Sequence, residues 1–227
     1  MSLEVYGVIF LICTVITIVL KSNESLKTKT GLIKLVKPIP ALTGAAFVIF
    51  MPHSTSLFYP LLAVALVLCA LGDVGMEINI LPGLGLFLFS HIVYTANFTW
   101  QSILLGLQMM PLVIFVVCIA FMLIYIFLYQ RYLKTTTKDV EPALLKAVIV
   151  YALMISLTLS TSLLLWLSSG TLLGFIPFVG AAFFVFSDSV IGIREFHHDI
   201  KNGEVIILST YYLAIFLLSL SVVIYIF

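Results

Sequence analysis

Two aspartates, Asp73 and Asp188, lie inside long apolar runs, where an ionisable side chain is costly and is by default a candidate functional group. Asp73 lies four residues before Glu77 and Asp188 lies four residues before Gly192, so each is about one helical turn from the end of its run. Two carboxyl groups in a poorly hydrated site resist simultaneous ionisation and tend to share one proton. One can then act as a general acid while the other acts as a general base or stabilises positive charge. This arrangement suits hydrolysis through a cationic, oxocarbenium-like transition state, and it also suits aspartyl proteolysis.

The composition shows what kind of elements must position these carboxyl groups. Of the 227 residues, 63% are hydrophobic and 9% are charged, whereas an ordinary soluble domain has about 25% charged residues. Lipid must therefore be the solvent for most of the surface. We predict an all-α membrane protein, a single domain over residues 1–227 with eight transmembrane helices. The predicted helices span residues 3–20, 32–51, 57–76, 81–100, 109–129, 143–167, 171–192 and 205–227.

The basic residues predict the orientation of this bundle. With eight spans, all of them fall on one side of the membrane, which the positive-inside rule makes cytoplasmic. They are Lys21, Lys27, Lys29, Lys34, Lys37, Arg131, Lys134, Lys138, Lys146, Arg194 and Lys201. We therefore expect both termini on the extracytoplasmic side and both aspartates near the cytoplasmic face. A tag at either terminus that is found in the cytoplasm would contradict this topology. The compact chain, without long tails, favours a bacterial inner membrane.

Further polar residues fall at a similar depth and predict a shared polar cavity. Lys37 lies just inside the second span, His91 and Tyr94 share a face of the fourth, and Tyr151, Tyr211 and Tyr212 follow the cytoplasmic ends of the sixth and eighth. Structural interpretations stay open for several of them. Lys37 is also typical of a membrane anchor, His91 of a hydrogen-bonded core histidine, and one of the two adjacent tyrosines of an interfacial aromatic belt.

Several other chemistries find no support in the sequence. No metal-binding motif, nucleophile elbow or glycine-rich phosphate loop occurs, and the basic loops have no nucleic-acid motif. We therefore predict no metal, no cofactor and no nucleic-acid partner. Cys13, Cys69 and Cys118 stand singly in apolar runs and are interpreted as small buried hydrophobes. The spacing of Gly170 and Gly174, and the small residues at 180–182, predict close helix packing.

Segments from the second span to the eighth resemble the YhhN family of eight-span membrane proteins, the lysoplasmalogenases. They are Lys37-Pro38, Leu71-Gly72-Asp73, Ser90-His91-Ile92-Val93-Tyr94, Tyr151 with Met154, Gly180 followed by Phe186-Ser187-Asp188-Ser189, Arg194-Glu195-Phe196, and Thr210-Tyr211-Tyr212-Leu213-Ala214. Their order and spacing carry the resemblance. The chain departs from the family at Ile215, where glutamine is often expected.

The resemblance implies a hydrolase that cleaves the vinyl ether bond of lysoplasmalogens. The products would be a fatty aldehyde and glycerophosphocholine or glycerophosphoethanolamine. Asp73 and Asp188 would be the catalytic pair. The supporting or substrate-binding residues would be Lys37, His91, Tyr94, Tyr151, Ser187, Arg194, Tyr211 and Tyr212. Lys37 or Arg194 would hold the phosphate of a lysophospholipid that enters from the bilayer.

Two alternatives stay open at this point. Ala70-Leu71-Gly72-Asp73 comes close to a Gly-x-Gly-Asp motif, which would indicate an intramembrane aspartyl protease, but position 70 is Ala. The paired aspartates with Lys37 and His91 could instead relay protons in a transporter. The parallel positions of Asp73 and Asp188, four spans apart, would fit the repeats common in transporters. The sequence leaves the oligomeric state open.

Overall fold

A computed structural model describes residues 1–23, 30–52, 55–135 and 142–225, and over these residues the chain forms helices and turns. The helices, in chain order, are α1 (Leu3–Ser22), α2 (Thr30–Val36), α3 (Ile39–Phe50), α4 (Phe58–Met76), α5 (Ile80–Leu104), α6 (Met109–Leu133), α7 (Pro142–Ser169), α8 (Phe175–Phe196), α9 (Gly203–Ser219) and α10 (Ser221–Ile224). A single 3-10 turn (Leu172–Gly174) leads into α8.

Within these described ranges, eight helical segments are long and apolar enough to cross a membrane. The second consists of α2 and α3 together, the seventh begins at the 3-10 turn, and the eighth combines α9 and α10. This confirms the predicted number of spans, and the protein is an integral, multi-pass membrane protein. Most of the predicted bounds differ from the observed ones by only a few residues.

The described basic residues gather at one end of the bundle, which we call the basic end. Lys21 at the end of α1 contacts Glu77 after α4, and Arg194 near the end of α8 contacts Glu204 at the start of α9. Tyr132 at the end of α6 stacks on His197, with ring centroids 4.4 Å apart. Lys27, Lys29 and Lys138 lie outside the described residues. The side of the membrane that this end faces stays a prediction.

The second span is broken, which the sequence analysis did not predict. We predicted one continuous span over residues 32–51, but the chain is already helical from Thr30 and interrupts at Lys37 and Pro38 before α3 begins. Proline has no N–H to donate and its ring clashes with the carbonyl four residues earlier, so a helix cannot pass through it undisturbed. Pro40 does lie in the first turn of α3, where the missing N–H costs nothing.

Six of the spans enclose the centre of the bundle. Neighbouring pairs pack in the order α3, α4, α5, α7, α8 and α9, and α9 returns to α3 to close the ring. Two helices stand outside it: α1 packs on α3 and α9, and α6 packs mainly on α7. The outward residues of these two helices are large and exposed, such as Leu11 at 63% and Phe121 at 67%, as expected of a lipid-facing surface.

Small residues allow the close contact of α8 with α9. A Cβ atom on Gly180 would lie 2.9 Å from Cβ of Leu217, so no larger residue fits there without a shift. Gly174 is similarly crowded by Trp166, but Gly170 lies in open space with a φ of +63° and serves the turn rather than the packing.

Cys69 is buried as predicted, whereas Cys13 and Cys118 are only partly buried, because they lie on the two peripheral helices.

Candidate active site

A cavity of about 290 Å³ opens at the basic end, inside the ring of helices. Five of the residues predicted for the site line it: Lys37, Asp73, Asp188, Arg194 and Tyr211. Its other walls are a mixture of charged and apolar side chains, namely Lys21, Met76, Glu77, Ile80, Phe87, Ile191, Glu195, Glu204, Ile207 and Leu208. Helices four spans apart in the sequence thus bring both aspartates to one cavity.

Asp73 lies in the last turn of α4 and is 1% exposed. Its carboxylate Oδ2 accepts a hydrogen bond of 2.9 Å from the hydroxyl of Tyr211 on α9. The ring of Phe87 on α5 fills the space left by Gly72, where a Cβ atom would come within 2.9 Å of it. Asp73 therefore has a fixed donor on one side and an aromatic wall beside it.

Asp188 lies on α8 and is partly exposed to the cavity. Its Oδ2 accepts a short hydrogen bond from the hydroxyl of Tyr151, which is 6% exposed on α7. Each of the two carboxyl groups therefore has its own tyrosine donor on a different neighbouring helix. Such donors hold a carboxyl group in one orientation and leave its other oxygen available for a substrate.

Two smaller grooves between helices reach Asp188. The first groove, of about 50 Å³, lies between α5, α7 and α8 and is lined by Leu84, Val148, Tyr151, Ile191 and Phe196 among others. The second groove, of about 40 Å³, lies between α6, α7 and α8 and includes Tyr129, Val148 and Val185. Most of these walls are apolar. Asp188 consequently lies where a charged cavity meets apolar grooves.

Lys37 lies at the break between α2 and α3 and is 8% exposed. Its ammonium donates a hydrogen bond of 2.9 Å to Oε1 of Glu77, and its backbone carbonyl accepts one of 2.9 Å from Tyr212. Lys37 also interacts electrostatically with the nearby Asp73. Tyr212 thus acts on the site through Lys37 and does not line the cavity.

Glu77 lies just beyond the end of α4 and binds two cations. Lys21 contacts Glu77 at 2.8 Å and Lys37 contacts it at 2.9 Å. Burial opposes the ionisation of Glu77, but the two ammonium groups outweigh it and hold the pKa of Glu77 below its usual value. Glu77 is therefore an anion that keeps Lys37 in place beside the cavity.

Three predicted site residues lie behind the cavity wall. His91 on α5 is fully buried, its Nδ1 lies 3.1 Å from the hydroxyl of Thr158, and its ring contacts Phe184 and the Asp188 partner Tyr151. Tyr94 is buried one turn deeper, against His91 and Phe98. Ser187 donates a hydrogen bond of 3.0 Å to the carbonyl of Ile207 and so ties α8 to α9.

The sequence analysis did not single out Lys21, Glu77, Glu195 or Glu204 as site residues, although all four line the cavity. Each lies at a helix end, where a charged residue is ordinarily a solvated anchor. The spacing of four residues between Asp73 and Glu77 places them on one helix face and was the available signal for Glu77. For Glu195, the signal was its place in the Arg194-Glu195-Phe196 segment of the family resemblance. The convergence of Lys21, Glu195 and Glu204 depends on how α1, α8 and α9 meet, which no local pattern encodes.

The described residues contain no group of three or more His, Cys, Asp or Glu side chains that could hold a metal ion. The fold and the site together define a multi-pass membrane protein with two aspartates in one cavity at the basic end of its bundle. The model of the YhhN family matches residues 32–222, most of the chain, and the chain belongs to this family. The resemblance drawn from the sequence motifs is thereby confirmed.

One relative extends this finding. The chain is 28% identical to the lysoplasmalogenase TMEM86B of Homo sapiens over 191 residues, which cover 82% of this chain and 74% of the human protein. No solved structure matches the chain.

Proposed function

We propose that this protein is a lysoplasmalogenase, which hydrolyses the vinyl ether bond of a lysoplasmalogen to a fatty aldehyde and a glycerophosphodiester. The observation that carries the proposal is a charged cavity lined by both aspartates that meets apolar grooves at one of them, Asp188. A lysoplasmalogen likewise has a polar headgroup and one apolar chain, and its vinyl ether lies where the two parts join. The family and the human relative support the same reaction.

Asp188 is the proton donor in this proposal. The alkene carbon that receives the proton is the one attached to the alkyl chain, and the apolar grooves for that chain reach Asp188. Transfer of the Asp188 proton forms the new C–H bond with the electron pair of the double bond and leaves an oxocarbenium ion. Tyr151 holds the Asp188 carboxyl group in position through its hydrogen bond.

Asp73 is the carboxylate that stabilises this cation and takes a proton from the attacking water. The hydroxyl of Tyr211 donates a hydrogen bond to Oδ2 of Asp73, and the Lys37 ammonium places a positive charge nearby. Water adds to the cationic carbon and gives a hemiacetal. The Asp188 carboxylate then accepts the hemiacetal hydroxyl proton while Asp73 protonates the departing glycerol oxygen, so the C–O bond breaks, the aldehyde forms and both aspartates return to their starting states.

The test is aldehyde release by the purified protein from an alkenyl lysophosphoethanolamine, with the saturated alkyl ether as the negative substrate. We expect aldehyde from the vinyl ether alone. Asp73→Asn and Asp188→Asn should each lose at least about a hundredfold in turnover, the scale of a general acid or base. Asp199→Asn, on an exposed loop, is the matched control and should keep normal turnover. Near-full activity in either site variant would refute the mechanism.

The division of roles has its own test by chemical rescue. Small carboxylic acids should rescue Asp188→Gly better as the pH falls, because the missing group is an acid. Small carboxylate anions should rescue Asp73→Gly better as the pH rises, because the missing group is a base. The opposite pattern would exchange the two roles. Peptide cleavage or proton-coupled uptake without any aldehyde release would instead support the protease or the transporter hypothesis.

A further inference from the structure

Six charged side chains surround the opening of the cavity, and we call them the charged mouth: Lys21, Lys37, Glu77, Arg194, Glu195 and Glu204. Three are cations and three are anions, so their formal charges cancel. They come from the ends of α1, α4 and α8, the start of α9 and the break between α2 and α3. Of these six, the family resemblance assigned only Lys37 or Arg194 to the headgroup, as the residue that holds its phosphate.

The charged mouth consists of two ion-pair clusters joined by one long contact. In the first, Glu77 binds Lys21 and Lys37. In the second, Arg194 binds Glu204 at 2.5 Å and Glu195 at 3.0 Å. The clusters meet where Lys21 lies 3.5 Å from Glu204, the longest of these contacts.

The junction between Lys21 and Glu204 is the weakest part of the charged mouth. The side chain of Lys21 is 18% exposed and that of Glu204 is 29% exposed, so water reaches both. Ion pairs in such a setting contribute little net free energy, and exchanging one for another costs little. A ligand that supplies both a cation and an anion can therefore enter here without leaving a charge unpaired.

A zwitterionic headgroup supplies both a cation and an anion, whereas a headgroup with phosphate alone supplies only an anion. The phosphate can accept hydrogen bonds from Lys21 and Arg194. Glu204, which pairs with both of these cations in the free protein, would then face the phosphate with no countercharge of its own. An ammonium group on the same headgroup restores the balance, whereas its absence leaves two anions side by side.

We infer that Glu204 binds the ammonium group of the substrate headgroup, and that the Lys21–Glu204 junction opens to admit a zwitterion and disfavours a purely anionic lysolipid. This inference rests on the proposed function and names the residue that sets its headgroup preference. Glu204 takes no part in the proton transfers.

The experiment compares kcat/KM for two vinyl ether substrates with the same chain, the lysophosphoethanolamine and the glycerophosphate without the amine. The unaltered protein should favour the zwitterion by roughly tenfold or more, as expected for a hydrogen bond to a charged group. Glu204→Gln should bring the ratio close to one, by raising KM for the zwitterion with little change in kcat. Glu204→Asp, which keeps the charge, should retain part of the preference. Glu4→Gln, at the other end of α1, is the control and should keep the full ratio.

The possible results separate this inference from the proposed function. Aldehyde release with a ratio that Glu204→Gln leaves unchanged would overturn the inference and leave the lysoplasmalogenase intact. No aldehyde from either substrate, with stably folded protein, would overturn the proposed function itself. If Glu204→Gln does not fold, inhibition of the unaltered protein decides: phosphoethanolamine should inhibit more strongly than inorganic phosphate, and equal inhibition would contradict the inference.

Discussion

At the scale of single residues, the two aspartates differ in what surrounds them. Asp73 has Tyr211, Lys37 and Glu77 nearby, whereas Asp188 faces the apolar grooves with Tyr151 as its hydrogen-bond donor. A pair of identical side chains in unlike surroundings can carry unlike roles, because the environment decides which one holds the proton. The tyrosines are the residues through which the neighbouring helices act on each carboxyl group.

The tyrosine donors give the first residue-scale prediction. Tyr211→Phe and Tyr151→Phe each remove one hydrogen bond to a carboxyl group and keep the aromatic ring in place. Because hydrogen bonds to charged groups contribute about 1.5–3 kcal/mol, we expect aldehyde release to fall roughly 10- to 100-fold in each variant. Tyr132→Phe, whose ring is 41% exposed at the end of α6, is the matched control. Unchanged turnover in both site variants would show that the carboxyl groups need no fixed orientation.

The second prediction concerns Glu77 and pH. The pKa of Glu77 is lower in the folded protein than its usual value, so its ion pairs stabilise the fold above the unfolded pKa, about 4.3 for Glu, and this contribution disappears as the pH falls through the folded pKa. We expect Glu77→Gln to melt at a lower temperature than the unaltered protein at neutral pH. The difference should shrink as the pH falls below about 4.3. Thermal unfolding in detergent at a series of pH values measures it, and a constant difference would contradict the argument.

At the scale of elements, the break between α2 and α3 positions a functional side chain. The interruption at Pro38 places Lys37 with its ammonium on Glu77 and its carbonyl on Tyr212, so one residue connects the second span to α4 and α9. In the sequence, the Lys37-Pro38 pair stood out only as one of the segments that resemble the YhhN family. The apolar run continues on both sides of the pair, within the predicted span over residues 32–51, so hydropathy gave no sign of a break.

The break gives the third prediction. Pro38→Ala restores the missing N–H and removes the ring, so α2 and α3 can join into one straight helix. Lys37 would then turn away from the cavity. We expect a higher KM for the lysolipid, together with an unchanged or raised melting temperature, because alanine is the better helix former. Kinetics and thermal unfolding of the same preparation test both expectations, and a lower melting temperature with normal KM would show that the proline stabilises the fold rather than the site.

At the scale of the whole molecule, the ring of six helices brings residues far apart in sequence to one cavity, beside which two apolar grooves run between the helices. The first groove passes Val148 and Leu84, both partly exposed. In the proposed reaction this groove receives the alkenyl chain. Its width should therefore decide which chains fit, while the charged mouth decides which headgroups fit.

The groove gives the fourth prediction. Val148→Trp adds a large side chain to both apolar grooves without touching the charged cavity. We expect kcat/KM for a long-chain lysolipid to fall at least about tenfold, because the bulkier wall excludes the chain, whereas a short-chain analogue with the same headgroup should be affected much less. Val150→Trp, on the exposed side of α7, is the matched control. An equal loss for both chain lengths would indicate a general defect.

The sequence predicted the bundle well and the site in part, for physical reasons. Hydrophobic runs of the right length specify eight spans regardless of how they pack, and a carboxyl group within such a run stands out because of its cost. Glu204 and Lys21 do not stand out, since a charge at a helix end costs little and is common. Their proximity results from the packing of α1 against α9, which is a property of the assembled bundle.

The position of Asp188 between a charged cavity and apolar grooves also has a consequence for what happens after the bond breaks. In the proposed reaction the two products prefer different phases. The glycerophosphodiester would face the charged opening of the cavity, and the aldehyde would face the apolar grooves. Neither product has to pass the other to leave. Resynthesis would require two molecules from separate phases to meet at one point, so partition between water and membrane would itself make the turnover one-directional.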